Sequence, residues 1–352
     1  MRISTLSVFA LGGTISAAML AGCSGLGQQS SSVPGSPSSL QSIARQHPTL
    51  SAIARQHPTV SVVERAGPSF FSPAALLLGG GLIEDAKSAS HLYVGQFAAT
   101  VINEYTIPDP KNKPPACEVT PVSAVNGFGV NAVHDVYDPD AGTRTLIVYA
   151  PKCGKALSTV AIPGGVQDSD VAFDEKTKTA WVDLTSPAGV IPIKYGASSF
   201  GTELTCTTLS ETFGVGVDSK GNVYASGTTG SAGAIVEWAG GKKACKTLAL
   251  TGLTFPGGIE FDSKDNLVTE DIQGGLIDIF KPPYKGAATR TITPKGEPVY
   301  GKLDSTDTNL YVSNYTAGTA DVFKYATGAY EYSVSNGLSQ ANVVEGIGVD
   351  PP

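Results

Sequence analysis

Six polar residues recur along this chain at nearly constant intervals. Asn131, Asp174, Asp218, Asp262, Asp304 and Asp350 stand 43, 44, 44, 42 and 46 residues apart. Before each lies a short run of Gly and small apolar residues. After each of the first five comes a tight turn and a second apolar run. A fixed period of this size marks a repeat whose units cannot bury both faces alone and therefore stack against one another. With four short strands per unit, the architecture is an all-β propeller.

The strands within a unit follow from alternation of period two between Gly and Pro clusters. The inner strand a is expected over 127–131, 170–174, 214–218, 258–262, 301–304 and 346–350, its glycines suited to a crowded channel where backbones approach closely. Turns such as Asp218-Ser219-Lys220-Gly221-Asn222 carry the residues that tolerate positive φ. Strand b is expected over 91–97, 132–138, 179–185, 222–228, 266–272 and 309–315. Strands c and d complete each sheet outward, with d over 156–162, 246–250 and 290–293 in three blades.

One unit is split. The first blade has a strand b at His91 but no inner strand before it, and the last strand, 344–350, has no strand b after it. The C-terminal strand therefore completes the first blade and removes an exposed edge. Six blades result, over residues 90–352.

The run Gly214-Val215-Gly216-Val217-Asp218-Ser219-Lys220-Gly221-Asn222-Val223-Tyr224-Ala225 resembles the blade motif of NHL-repeat proteins. Gly346-Ile347-Gly348-Val349-Asp350 and Leu92-Tyr93-Val94 fit the same motif split across the two ends. The resemblance implies a six-bladed propeller and says little of activity, because NHL-like propellers include scaffolds, lyases and lactonases. Strand c departs from the pattern: Gly275-Leu276-Ile277-Asp278-Ile279-Phe280 lacks the Asn-Arg pair of many such blades.

The N-terminal part reads as an address and a tether. Arg2, an apolar stretch over 6–19 and Leu20-Ala21-Gly22-Cys23 resemble a bacterial lipobox, which implies a signal peptide over 1–22 and a diacylglycerol on Cys23. Each buried methylene of such an anchor adds about 0.8 kcal/mol. Ser24 is not the Asp that retains sorted lipoproteins at the inner membrane. The resemblance thus implies the bacterial cell envelope, at the outer membrane or cell surface rather than the inner membrane. Residues 23–65 read as a disordered Ser/Pro/Gln-rich tether containing a duplicated Ile-Ala-Arg-Gln-His-Pro-Thr segment. Residues 66–89, with Phe70-Phe71 and Leu76-Leu77-Leu78, are expected as an apolar lead-in that packs on the propeller.

Charge excludes some partners. From residue 90 onward 19 Lys and Arg face 28 Asp and Glu, a net of −9. That balance excludes the basic footprint a nucleic-acid binder needs and leaves membrane association to the lipid alone. No P-loop, dinucleotide fold, HExxH or Ser-His-Asp spacing is present. A His base would have to be His91 or His134.

In such a propeller the d–a and b–c connections share one face, where ligands usually bind. The candidates placed there are Asp170, Asp183, Glu211, Glu270, Asp271, Asn314 and Glu345, beside Asp138, Asp140 and Asp168. Oxygens from several blades could hold Ca²⁺; otherwise no cofactor is implied. A metal-dependent lactonase of the regucalcin and gluconolactonase kind, or an NHL-like lyase, would use such a ring. The simpler reading makes these residues solvated loop acids. Cys117, Cys153, Cys206 and Cys245 are an even number in an exported chain. Pairing of chain neighbours would staple adjacent blades, provided the Cα atoms come within about 7 Å.

The favoured reading is a monomeric, non-catalytic binding module for a protein, peptide or glycan. The alternatives are a metal-dependent lactonase or lyase, and a structural envelope protein with no small-molecule site.

Overall fold

The computed structural model describes residues 90–97, 100–120, 123–164, 170–230, 232–242, 244–338 and 343–350. The signal, tether and lead-in expected over 1–89, Cys23 among them, lie outside the described residues, as does Asp168.

The repeated polar residue earns its place as a turn cap. In the turn over residues 218–222 the Oδ1 of Asp218 accepts the backbone N–H groups of Lys220 (2.9 Å) and Asn222 (2.8 Å). Its Oδ2 accepts from the Asn222 amide (2.8 Å) and the Tyr224 hydroxyl (3.1 Å). Asp262 repeats the pattern with Lys264 and Asn266, and Asp304 with Thr306, Thr308 and Asn309. Three residues past the anchor the chain turns left-handed, at His134, Gly221, Asp265 and Asp307. Gly, Asp and Asn reach that region at least cost. The turns also grip their neighbours: Asp265 accepts from Ser219 N–H and Asp307 from Ser263 N–H, both at 2.9 Å.

Six four-stranded antiparallel sheets follow. From inner to outer strand, blade 1 is Val344–Val349, Ser90–Gln96, Ile102–Ile107 and Cys117–Val119. Blade 2 is Gly129–Val130, Val136–Asp140, Thr145–Tyr149 and Ala156–Ala161. Blade 3 is Val171–Asp174, Thr179–Leu184, Gly189–Lys194 and Leu204–Thr205. Blade 4 is Glu211–Val217, Val223–Thr228, Gly233–Trp238 and Cys245–Thr247. Blade 5 is Pro256–Phe261, Leu267–Asp271, Leu276–Phe280 and Arg290–Ile292. Blade 6 is Pro298–Leu303, Asn309–Asn314, Thr319–Lys324 and Ala329–Val334.

Closure is by the C-terminal strand, as the split repeat implies. Leu92 pairs with Val349, Tyr93 with Gly348 and Val94 with Ile347. Phe97 N–H donates to Val343 O and Asp350 N–H to His91 O, both at 2.8 Å. The His134 ring of the next blade contacts the Asp350 carboxylate. On the outside, Asn112 Oδ1 accepts from the backbone of Ser335 (2.7 Å) and Asn336 (2.9 Å), and the Tyr105 hydroxyl donates to Asn336 O (2.7 Å). These contacts zip blade 6 to blade 1.

Two local expectations need correction. Strand b of blade 2, expected over 132–138, is Val136–Asp140. Asn131 Oδ1 takes the N–H groups of Val133 and Asp135, so residues 132–135 are spent on a turn. The outer strand expected over 246–250 breaks in two. Cys245–Thr247 joins blade 4, while Ala249–Leu250 pairs in parallel with Lys285–Gly286 of blade 5.

The core lies between blades. Strand alternation sends one set of side chains to the preceding blade and the other to the next. Val223, Ala225, Val236 and Trp238 of blade 4 pack on Trp181 and Val190 of blade 3, while Val268, Ile277 and Ile279 of blade 5 meet Leu310, Val312 and Phe323 of blade 6. Nearer the axis only glycine fits. A Cβ on Gly214 would stand 2.3 Å from Gly257 O and 2.9 Å from the Gly258 Cα, backbone atoms that cannot swing aside. Gly214→Ala is therefore expected to destabilise the fold by about 2–3 kcal/mol, as overpacking does. A urea midpoint equal to that of the parent would refute this.

Both neighbour pairs of cysteines are joined. Cys117 and Cys153 have Cα atoms 6.0 Å apart, and Cys206 and Cys245 5.8 Å. Outer strands of adjacent blades diverge, but only one partner of each pair lies on a strand. Cys153 sits in the turn before the outer strand of blade 2, at φ 51°, and Cys206 follows the outer strand of blade 3. The turns bridge the gap, tying blade 1 to blade 2 and blade 3 to blade 4.

Candidate functional site

The inner strands define layers down the channel. Two residues before each polar anchor stand Gly129, Ala172, Gly216, Glu260, Lys302 and Gly348. All six line one cavity of about 240 Å³. Its apolar wall comes from Val130, Phe173, Val217, Ile259 and Leu303, and its a–b turn end includes Ala132, Glu175 and Ser305. Four members of this layer are Gly or Ala, which is what opens the space. The other two, on adjacent blades 5 and 6, place opposite charges in it.

One layer further toward the loop face, Tyr300 crosses the channel. Its hydroxyl donates to Phe213 O of blade 4 at 3.0 Å, and Gly258 of blade 5 leaves room beneath the ring. The cavity reaches residues of the a–b turns and so lies toward that face, opposite to the one where the sequence places the ligand.

Lys302 is the hub of the charges. Its Nζ stands 3.7 Å from Asp170 Oδ1 and 3.8 Å from Glu260 Oε2. Asp170 is wholly buried, whereas Glu260 keeps 29 % of its side-chain surface and Lys302 12 %, so the pair faces the cavity and Asp170 stands behind it. Glu270 is buried, its oxygens filling the places where side chains on Gly258 and Gly301 would be. Neither Glu270 oxygen has a hydrogen-bond partner among the described residues, nor has Asp170 Oδ1. Asp170 otherwise uses its N–H on Asp183 Oδ1 (2.6 Å) and its Oδ2 on Val215 N–H (3.3 Å).

Burial sets the protonation of this cluster. It pushes Asp170 up to about 7, with Lys302 opposing and Asp183 assisting. It pushes Glu270 up to about 8, again against Lys302. Burial also raises Glu260, which Lys302 partly restores. Lys302 itself would be lowered by burial, but Asp170, Glu260 and Glu270 outweigh it and hold the ammonium above its usual range.

The remaining sequence candidates go elsewhere. Asp271 spends its carboxylate on the N–H groups of Thr254 (2.8 Å), Phe255 (2.7 Å) and Gly274 (3.2 Å). Asp140, at the equivalent position of blade 2, takes those of Ser123, Gly142 and Thr143. Asn314, the counterpart in blade 6, accepts from Ala317 N–H and donates to Asp321. Glu211 and Glu345 stand on separate inner strands, both raised by burial, Glu345 to about 8. Asp138 is buried between blades 1 and 2, both oxygens without a partner among the described residues, and is pushed well above its usual range by burial and then Asp140. Among the described residues, the only three His, Cys, Asp or Glu groups with ligand atoms within 4.8 Å of one another are Glu104, Cys117 and Cys153, and those sulfurs are bonded together. His91 pairs with Glu104 at 2.8 Å, and His134 with Asp350.

Sequence reasoning found Asp170 and Glu270 but missed Glu260 and Lys302. The signal was present: aligning the inner strands on their anchors leaves two charged residues in a layer otherwise Gly or Ala.

Fold and channel together define a six-bladed β-propeller with a charged pocket on its axis. One solved structure with this fold is a chain in the crystal structure of a nidogen/laminin complex, with TM-score 0.63 and 15 % identity over 74 % of this chain and 98 % of that one. A second is a protein of unknown function from Bacteroides caccae, with TM-score 0.58 and 12 % identity over 74 % of this chain and 99 % of that one. Scans against family models and curated proteins gave no match.

Proposed function

We propose that this chain is a lipid-anchored, extracytoplasmic propeller of NHL-like type that binds a protein, peptide or glycan through its d–a and b–c loops, without catalysis. The observation that carries the reading is the pinning of those loops. In blades 2 and 5 one carboxylate gathers N–H groups from both the d–a loop and the b–c turn. In blade 6 Thr316 bridges them, accepting from Glu297 N–H and donating to Asn314. A platform ordered before contact loses less freedom on binding. The fold shared with a chain of the nidogen/laminin complex supports a protein partner. The two disulfides suit an oxidising compartment outside the cytoplasm.

A photoreactive residue at Thr229 or Lys295 on the loop face is expected to give cross-linked adducts in intact cells, and one at Lys220 or Lys264 on the turn face none. Adducts from the turn face alone would reverse the assignment. Fatty-acid labelling should vanish in Cys23→Ala; retained label would end the anchoring proposal.

A further inference from the structure

The channel cavity is a second site, at the other end of the axis from the loop platform. We propose that it binds a small zwitterion of amino-acid type, whose ammonium meets Glu260 and whose carboxylate meets Lys302.

The chemistry follows from the walls. A pocket that is mainly apolar with few convergent polar groups is the usual form of a small-molecule site. Of the carboxylates that line the space, Glu175 is spent on the Ala132 N–H, the Tyr195 hydroxyl and Lys178, which leaves one ammonium and one carboxylate, Lys302 and Glu260, 3.8 Å apart, beside Ser305. That separation exceeds hydrogen-bond reach, so the two charges hold each other in place while retaining capacity for a ligand. An α-amino acid carries the complementary charges on two groups bonded to one carbon. The volume of about 240 Å³ amounts to roughly eight waters at about 30 Å³ each, enough for one such molecule and too little for a folded partner.

Other ligand classes fit less well. A multiply charged anion would meet the carboxylates of Glu260 and Glu175 around a single lysine. A divalent cation would meet the Lys302 ammonium within 4 Å of both Asp170 and Glu260. Asp170 stands behind the pair, its Oδ1 3.7 Å from the Lys302 Nζ. Gly129 and Ala172, on blades 2 and 3 across the ring from the charges, carry little or no side chain, so a ligand's own side group can lie against them.

Calorimetry on the full chain with glycine, L-alanine and β-alanine, against acetate and ethylammonium at matched ionic strength, tests the proposal. Saturable binding of at least one zwitterion, not matched by either half-ligand, is expected. Glu260→Gln should weaken it at least tenfold. This residue is partly exposed, so the variant keeps the fold, which its melting curve checks. Lys302→Gln, read the same way, should also lose binding, but it leaves buried acids uncompensated and serves only if its melting curve stays cooperative. No saturable binding across the panel, equal binding of ethylammonium alone, or unchanged affinity in Glu260→Gln would overturn the proposal. Cross-linking at the loop face is unaffected by any of these outcomes, so the two sites stand or fall separately.

Discussion

Deletion of residues 344–352 is expected to abolish the cooperative fold, not merely to fray one blade. The lost strand is the inner strand of blade 1, and it is central to the ring although terminal in the chain. Val344 and Ile347 are fully buried, and each contributes about 1.5–3 kcal/mol by burial. The strand's backbone bonds to Ser90–Gln96 add roughly 1 kcal/mol each. Removing it also uncovers Phe128, which packs against Gly346 and Gly348, and opens an unpaired edge beside Tyr93. The loss is comparable to the whole net stability of about 5–15 kcal/mol. Circular dichroism should show no sharp melt, and a synthetic peptide spanning 343–352 should restore one. A truncated chain that melts cooperatively at the parent temperature would show that closure is dispensable.

Stability should fall by several kcal/mol between pH 5 and pH 9. Asp170 and Glu270 are raised to about 7 and about 8, Glu345 to about 8, and Asp138 well above its usual range, all chiefly by burial. In the unfolded chain such groups titrate near 4. Between the two values the native state holds more protons than the unfolded one, so raising the pH favours unfolding. The contribution is complete below about pH 4 and is lost as pH climbs through the folded values. Lys302 is shifted upward beyond this window and does not counter it. Glu270→Gln separates one group from the rest. At pH 5 the carboxyl is neutral in the fold, and the variant should lie within about 1 kcal/mol of the parent. At pH 9 the variant should be more stable by about 1–3 kcal/mol, because no buried charge forms. Urea titrations at the two pH values decide it. A variant weaker than the parent at pH 9 would mean that the Glu270 anion is held by Lys302 more strongly than burial opposes it.

The ring was legible in the sequence because its determinants are local and repeated. Five of the six anchors, Asn131, Asp174, Asp218, Asp262 and Asp304, cap their own turns within five residues, so five copies of one short-range bond pattern write the period directly into the chain. Even the split blade could be read, since an inner strand without a partner at one end answered a missing one at the other. Blade 2 escaped because Asn131 bonds to both Val133 and Asp135, lengthening the turn in a way the apolar pattern of 132–138 conceals.

The site depended on contacts between blades, and these have no sequence spacing to betray them. Lys302 meets Asp170 across more than a hundred residues, and Tyr300 reaches Phe213 across 87. Asp271 and Glu270 are neighbours in the chain, yet one is consumed by backbone N–H groups and the other is buried without a partner, because successive strand residues point to opposite faces. Composition and period thus determined the propeller, its number of blades and its closure. Which acids cap loops, which surround a lysine, and at which end of the axis a pocket opens were decided only when six inner strands converged and left room where four of them carry almost no side chain.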